Sequence, residues 1–317
     1  MRTLYIAASA AVLLAAGTAA AQAEGLTDRP LVDPAWLESN LNADNLVVID
    51  IRDPEYDKDG KPKGPVPYTQ GHVPGSVAAP YVGYAWRTKT DGTPGMLPTV
   101  PTLEEKIGAL GIDEDTHVVI IPAGEDSSDF GSATRVYWTF KVMGHDEVSI
   151  LEGGHKAWVA AGKPLSTEGT QPAPAIFEAE FRPELIATAD DVRQALDGKA
   201  ALVDARPTEQ YLGQAKSPVA KVAGTIPGSA NIANGLFYDG KTAQFAEPSD
   251  IDSLLEQVGI EKDQPQIAYC NTGHWASVAW FGLSEVAGAE NVSMYDGSLA
   301  EWTKDAENPM VVYGNTN

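Results

Sequence analysis

Ala201-Leu202-Val203-Asp204-Ala205-Arg206 is a short apolar run that ends in an acid, with an arginine two residues further on. The chain carries the same phrase earlier, as Leu46-Val47-Val48-Ile49-Asp50-Ile51-Arg52. Continuous apolar runs of this length suit strands covered on both faces, as in a parallel sheet clothed by helices. Other landmarks repeat in the same order. Gly71-His72-Val73-Pro74-Gly75-Ser76 is matched by Gly224-Thr225-Ile226-Pro227-Gly228-Ser229, and Val118-Val119-Ile120-Ile121 by Gln266-Ile267-Ala268-Tyr269. Leu151-Glu152-Gly153-Gly154-His155-Lys156-Ala157-Trp158 is matched by Tyr295-Asp296-Gly297-Ser298-Leu299-Ala300-Glu301-Trp302. The spacing is far too long for a solenoid and marks a duplicated domain.

A length of 317 residues suits two domains of about 130–150 residues each. Between the copies, residues 162–175 hold three prolines and two glycines among small polar residues, the composition of a linker. The chain therefore divides into a leader at 1–23, a first domain at 24–172 and a second at 173–317, with the joint near Ala173. Strands at 46–49 and 118–121, and at 201–203 and 266–269, alternate with helices expected at 102–110, 133–142, 248–258 and 276–286. Thr102, with Glu105 at the capping-box spacing, and Ser249 are the expected helix caps. The alternation predicts two α/β domains, each a mainly parallel sheet with helices on both faces. Ligands then sit beyond the carboxyl ends of the strands.

Met1-Arg2, an apolar stretch at 4–16 and Ala21-Gln22-Ala23 have the layout of a cleaved secretory signal peptide. The apolar stretch is short for a membrane span, which needs about 20 residues. An uncleaved anchor is the alternative. The mature chain is expected to begin near Glu24 and to be periplasmic. Net charge is −22, which argues against nucleic acid and anionic membranes as partners. An exported protein usually pairs its cysteines, yet this chain has one, Cys270.

Cys270 directly follows one predicted strand and precedes a predicted helix, in Tyr269-Cys270-Asn271-Thr272-Gly273-His274-Trp275-Ala276-Ser277. A tight loop there turns backbone N–H groups inward, and such a nest at a helix start stabilises a thiolate or a persulfide anion. Gly273 suits the positive φ that the turn needs. A buried structural cysteine is the plainer reading, which the loop disfavours. The first half has Pro122 at the matching position, followed by Glu125 and Asp126, so it carries no thiol and repels anions.

The ordered set of Asp-x-Arg, Gly-x-x-Pro-Gly-Ser, strand-Cys-x-x-Gly and Asp-Gly-Ser-x-x-x-Trp resembles the tandem-domain rhodaneses, the thiosulfate and 3-mercaptopyruvate sulfurtransferases. The resemblance implies two rhodanese-like domains, of which the first is a non-catalytic partner. It implies that Cys270 accepts a sulfane sulfur from a small-molecule donor such as thiosulfate and passes it to cyanide or a thiol. It also assigns Arg206 to bracing the active loop. The family commonly grips the donor with a cation in the Cys loop and another in a Gly-Arg-Tyr-Leu-Gly stretch. Here Thr272 and Gln210 stand at those positions, leaving Gln210 as a substrate contact, and Leu212 fills the place of the second arginine of mercaptopyruvate enzymes. The loop residues Asn271, Thr272, Gly273, His274, Trp275 and Ala276 are the candidates for holding the persulfide. His274 is expected to donate a hydrogen bond or, when protonated, to add local positive charge, with a solvent-facing loop position as the plainer reading. Trp275 is expected to offer an apolar wall or its indole N–H, with packing between the domains as the plainer reading.

A phosphatase of the related fold needs Cys-x5-Arg to clamp the phosphoryl oxygens, and position 276 is Ala. The histidines, His72, His117, His145, His155 and His274, share no metal-ligand spacing, and no Gly-rich phosphate loop is present, so no metal or cofactor is expected. Asp296 and Glu301 read as a capped and solvated pair. The alternatives to a thiosulfate sulfurtransferase are a mercaptopyruvate enzyme and a non-catalytic sulfur carrier or sensor, and a monomer is expected.

Overall fold

A computed structural model describes residues 25–313, so the leader predicted at 1–23 lies outside the described residues. In chain order the first half contains β1 (Leu31–Val32), α1 (Pro34–Asn40), β2 (Leu46–Asp50), β3 (Val77–Ala78), β4 (Thr88–Thr90), β5 (Thr93–Met96), α2 (Val100–Ala109), β6 (His117–Ile121), α3 (Ser127–Val142), β7 (Val148–Leu151) and α4 (Gly154–Ala160). The second half contains β8 (Ile186–Ala187), α5 (Ala189–Ala195), β9 (Ala201–Asp204), α6 (Thr208–Tyr211), β10 (Ala230–Asn231), β11 (Tyr238–Asp239), β12 (Gln244–Phe245), α7 (Pro248–Val258), β13 (Gln266–Tyr269), α8 (His274–Trp280), β14 (Val292–Tyr295) and α9 (Ser298–Trp302).

The two sheets have the orders β1-β7-β6-β2-β3 and β10-β9-β13-β14-β8, and all their pairings are parallel. The repeated phrases occupy equivalent places. Leu46 to Asp50 lies opposite His117 to Ile121, and Ala201 to Asp204 opposite Gln266 to Tyr269. Every residue of β6 and of β13 is buried, which is why these runs are apolar without alternation. The antiparallel hairpins β4-β5 and β11-β12 are additions to the sheets.

The expected caps Thr102 and Ser249 are displaced because first-turn amides have no intrahelical acceptor, so proline is accepted there. α2 begins at Val100, ahead of Pro101, so Thr102 is inside the helix and its hydroxyl meets that of Thr99 at 2.9 Å. α7 begins at Pro248 with Glu247 at its cap position, so Ser249 is not a cap. α3 starts at Ser127 because the Asp126 carboxylate accepts the amides of Ser128 and Asp129 at 2.8 and 2.9 Å. α8 starts at His274 and passes into a π-turn at Phe281–Val286.

α3 and α8, one from each half, pack against each other. Thr134 Oγ1 and Ser277 Oγ are 2.8 Å apart, and the ring of Tyr137 meets Phe281 edge-on at 4.9 Å. One buried cluster runs from Ile49 and Phe130 through to Val203 and Trp280, so the halves share a core. Beyond the linker the chain stays on the first half: the Ala175 amide donates to Gly108 O, Phe177 is buried, and the Arg182 amide donates to Val142 O. It joins the second sheet only at β8.

Candidate active site

Cys270 follows the last residue of β13, the central strand of the second sheet. The loop turns at Gly273 with φ +73°, where a Cβ would lie 2.4 Å from Arg135 Nη1 and 2.9 Å from the Asp296 carbonyl oxygen. Ser298 clasps the loop from outside. Its Oγ accepts the amides of Cys270 and Gly273, each at 3.1 Å, and donates to Tyr295 O at 2.8 Å. Ser298 takes φ +46° to do so, strain that a non-glycine residue bears only when its surroundings hold it there. The Leu299 and Ala300 amides donate to the Cys270 and Asn271 carbonyls at 3.2 and 2.9 Å. The amides of Asn271, Thr272, His274, Trp275 and Ala276 have no acceptor among the described residues. A clasped loop with unpaired donors beside a thiol is a ready anion cradle.

The Cys270 residue is 1 % exposed, deeper than a freely reactive thiol. Parts of the first half lie over its loop. Arg87 Nη1 donates to Thr272 O at 3.3 Å and lies 3.4 Å from Thr272 Oγ1. A Cβ on Gly95 would approach Thr272 O to 2.9 Å. Arg135 Nη1 donates to Gly273 O at 3.1 Å. On the other flank, Asn271 Nδ2 donates to Gln210 Oε1 at 2.9 Å, so Gln210 reaches the loop itself.

His274 is bonded at both nitrogens. Nε2–H donates to Ser128 O at 2.8 Å, leaving Nδ1 to accept from the Tyr81 hydroxyl at 3.0 Å. Part of the residue's edge stays exposed, but both nitrogens are enclosed. Burial of the ring, followed by the charge of Arg87 and then that of Arg135, lowers its pKa to about 3. Of the two roles expected of His274, hydrogen-bond donation is met and positive charge is not: the ring is neutral and joins the two halves. Gly131 leaves room for it, since a Cβ there would sit 3.1 Å from His274 Nε2. The Trp275 indole N–H donates to Ser128 Oγ at 3.1 Å, so it too bridges the halves.

Arg206 does not touch the Cys270 loop. It grips Asp204 at 2.5 Å and donates to Gly224 O at 2.8 Å, and Tyr269, next to Cys270, joins this network through Asp204, Thr225 and Ser229. Arg52 makes the same clamp with Asp50 and Gly71 in the half without a thiol. The clamp belongs to the architecture of each domain, and any bracing of the loop passes through Tyr269.

Sequence reasoning missed three residues. Arg87 and Arg135 come from the first half, and no local pattern ties them to Cys270. Asp296 is buried rather than solvated. Its Oδ1 lies 2.6 Å from Arg135 Nη2, and its Oδ2 accepts the Leu97 amide at 2.7 Å. The one signal was an arginine set among apolar residues in Ala133-Thr134-Arg135-Val136-Tyr137-Trp138.

A rhodanese-like domain pattern matches residues 33–161 and again residues 188–305. The chain belongs to the rhodanese-like domain family. A putative thiosulfate sulfurtransferase of Haloferax volcanii is 33% identical over 292 residues, covering 86% of this chain and 92% of that protein. The thiosulfate sulfurtransferase of Bos taurus is 34% identical over 286 residues, covering 86% and 92%. The crystal structure of a 3-mercaptopyruvate sulfotransferase from Escherichia coli has a TM-score of 0.72 at 27% identity, covering 85% of this chain and 98% of that one.

The first rhodanese-like domain keeps the cradle but fills it. Pro122 follows β6 where Cys270 follows β13, and the Asp129 carboxylate accepts the amides of Ala123, Gly124 and Glu125 at 3.2, 2.6 and 3.1 Å. Burial raises the Asp129 pKa from the usual carboxylate range. That nest already holds an anion of its own.

Proposed function

We propose that the chain is a sulfurtransferase that takes a sulfane sulfur from a small anionic donor such as thiosulfate, carries it as a persulfide on Cys270 and yields it to a thiol or cyanide. The observation that carries this reading is a lone thiol at the end of the central strand, beside five amides without acceptors among the described residues, in a family whose relatives are named thiosulfate sulfurtransferases. The Cys270 thiolate attacks the outer sulfur of thiosulfate. The S–S bond of the donor breaks, sulfite departs with its electron pair, and the persulfide anion rests on the loop amides of residues 271, 272 and 274–276. An acceptor nucleophile then takes the outer sulfur and returns the Cys270 thiolate. Gln210 sets the Asn271 side chain, and Arg206 acts at one remove through Tyr269. Cys270 is 1 % exposed, so the donor reaches its sulfur only by displacing side chains that cover the loop.

After incubation with thiosulfate, Cys270 gains about 32 Da, one sulfur atom, and loses it to cyanide, while Cys270→Ser gains nothing. Folded protein whose thiol stays inert to sulfur donors and alkylating reagents rules the reading out. A sulfur carrier is the second reading, favoured by the closure over the thiol and by Thr272 in place of a loop cation; loading without turnover selects it. A mercaptopyruvate donor is less favoured because Gln210 and Leu212 stand where that activity uses arginines.

The protein is further proposed to act in the periplasm as a monomer, away from lipid. The secretory layout of residues 1–23 supports export, and no helix of the described residues is long and apolar enough to cross a membrane. Exported protein beginning at Glu24, with a monomer mass by light scattering, is the expected result.

A further inference from the structure

The arginines around the second cradle are not equivalent. Arg135 is held against Asp296 and Arg206 against Asp204, so each of these charges is already balanced. Arg87 is different. Among the described residues no carboxylate contacts it; it has only the Thr272 carbonyl and hydroxyl at 3.3 and 3.4 Å, and the face of Tyr81 at 5.1 Å. It is half-exposed and contributed by the first domain. Its charge acts on His274, two residues beyond Thr272, and on Tyr81, which also feels Cys270. In a chain of net charge −22, an unbalanced guanidinium at this place is a local exception.

We propose that Arg87 is the specificity-determining residue for anionic sulfur donors, taking from across the domain seam the place of the cation that the Cys270 loop lacks. The inference rests on Cys270 being the sulfur carrier. In the loading step the thiolate–sulfur bond forms as the S–S bond of thiosulfate breaks, and the departing sulfite keeps both electrons and two negative charges. A planar fork with donors to spare suits an oxyanion of that kind. The contact to Thr272 O keeps the guanidinium near the loop, and its remaining N–H groups are available to the donor.

The test compares wild type, Arg87→Gln and Arg87→Lys by the rate at which Cys270 is alkylated by anionic iodoacetate and by neutral iodoacetamide. Any change in the thiol itself affects both reagents and cancels in the ratio. The iodoacetate-to-iodoacetamide ratio should fall roughly tenfold in Arg87→Gln, the worth of one half-exposed charge-assisted contact, and stay within about twofold of wild type in Arg87→Lys. The KM for thiosulfate should rise by a similar factor. An unchanged ratio, or an unchanged KM in an enzyme that turns over, overturns the inference. Wild-type protein that reacts with both reagents yet gains no sulfur from thiosulfate sinks the proposed function instead, and the ratio still judges Arg87. A thiol inert to both reagents overturns both.

Discussion

Arg135→Met removes the charge that joins the halves and keeps most of the side-chain volume. The Arg135 side chain has no exposed surface, and that of Asp296 is 4% exposed. Taking one partner from such a pair leaves a buried carboxylate with only the Leu97 amide, and costs about 3–5 kcal/mol. The lower end applies here. Asp296 Oδ1 lies 2.6 Å from Arg135 Nη2 yet has no hydrogen-bond partner, and neither has Arg135 Nε, so the contact is an ion pair without hydrogen-bond alignment. The carbonyls of Gly273 and Gly95 also lose their donor. With a urea m-value of about 2–3 kcal/mol/M, the unfolding midpoint, followed by tryptophan fluorescence, should fall by roughly 1 M. Adding Asp296→Asn should recover about 2 kcal/mol, because no buried charge is then left alone. Sulfur loading should also slow, since the Gly273 carbonyl is released beside the thiol. A midpoint within about 0.3 M of wild type, or strict additivity with Asp296→Asn, refutes the claim that this pair couples the domains.

His274 is neutral in the fold, with its pKa lowered to about 3 against about 6.5 unfolded, so its contribution to stability is complete above pH 6.5 and is lost as pH falls toward 3. Acidification from pH 6.5 to 5 should remove about 2 kcal/mol from this source, and His274→Gln should flatten that part of a stability–pH curve. An equally steep curve in the variant counts against the assignment. Gly273→Ala should destabilise by more than about 2 kcal/mol and suppress sulfur loading, because the residue has φ +73° and a Cβ there meets Arg135 and Asp296. A double-mutant cycle on Thr134→Val and Ser277→Ala should give a coupling of about 1 kcal/mol for their 2.8 Å bond; zero coupling removes that bond from the interface.

The duplicated phrases and the buried apolar runs at Val118 and Gln266 were enough to specify two parallel sheets, because pattern and burial are local consequences of residue type. The place of Cys270 was equally legible, since a strand end and a glycine turn are written in consecutive residues. The helix at 248–258 was legible, but its cap and the start of α2 at Val100 were not, as proline's tolerance in a first turn competes with cap chemistry. The charge state of His274, the burial of Asp296 and the arrival of Arg87 and Arg135 were set by the packing of α3 and the β4-β5 hairpin against the second half. Those contacts join residues more than a hundred positions apart, and no local rule links them. Electrostatics of a buried site depend on which distant charges and dipoles replace water, so only the docked pair of domains decided them.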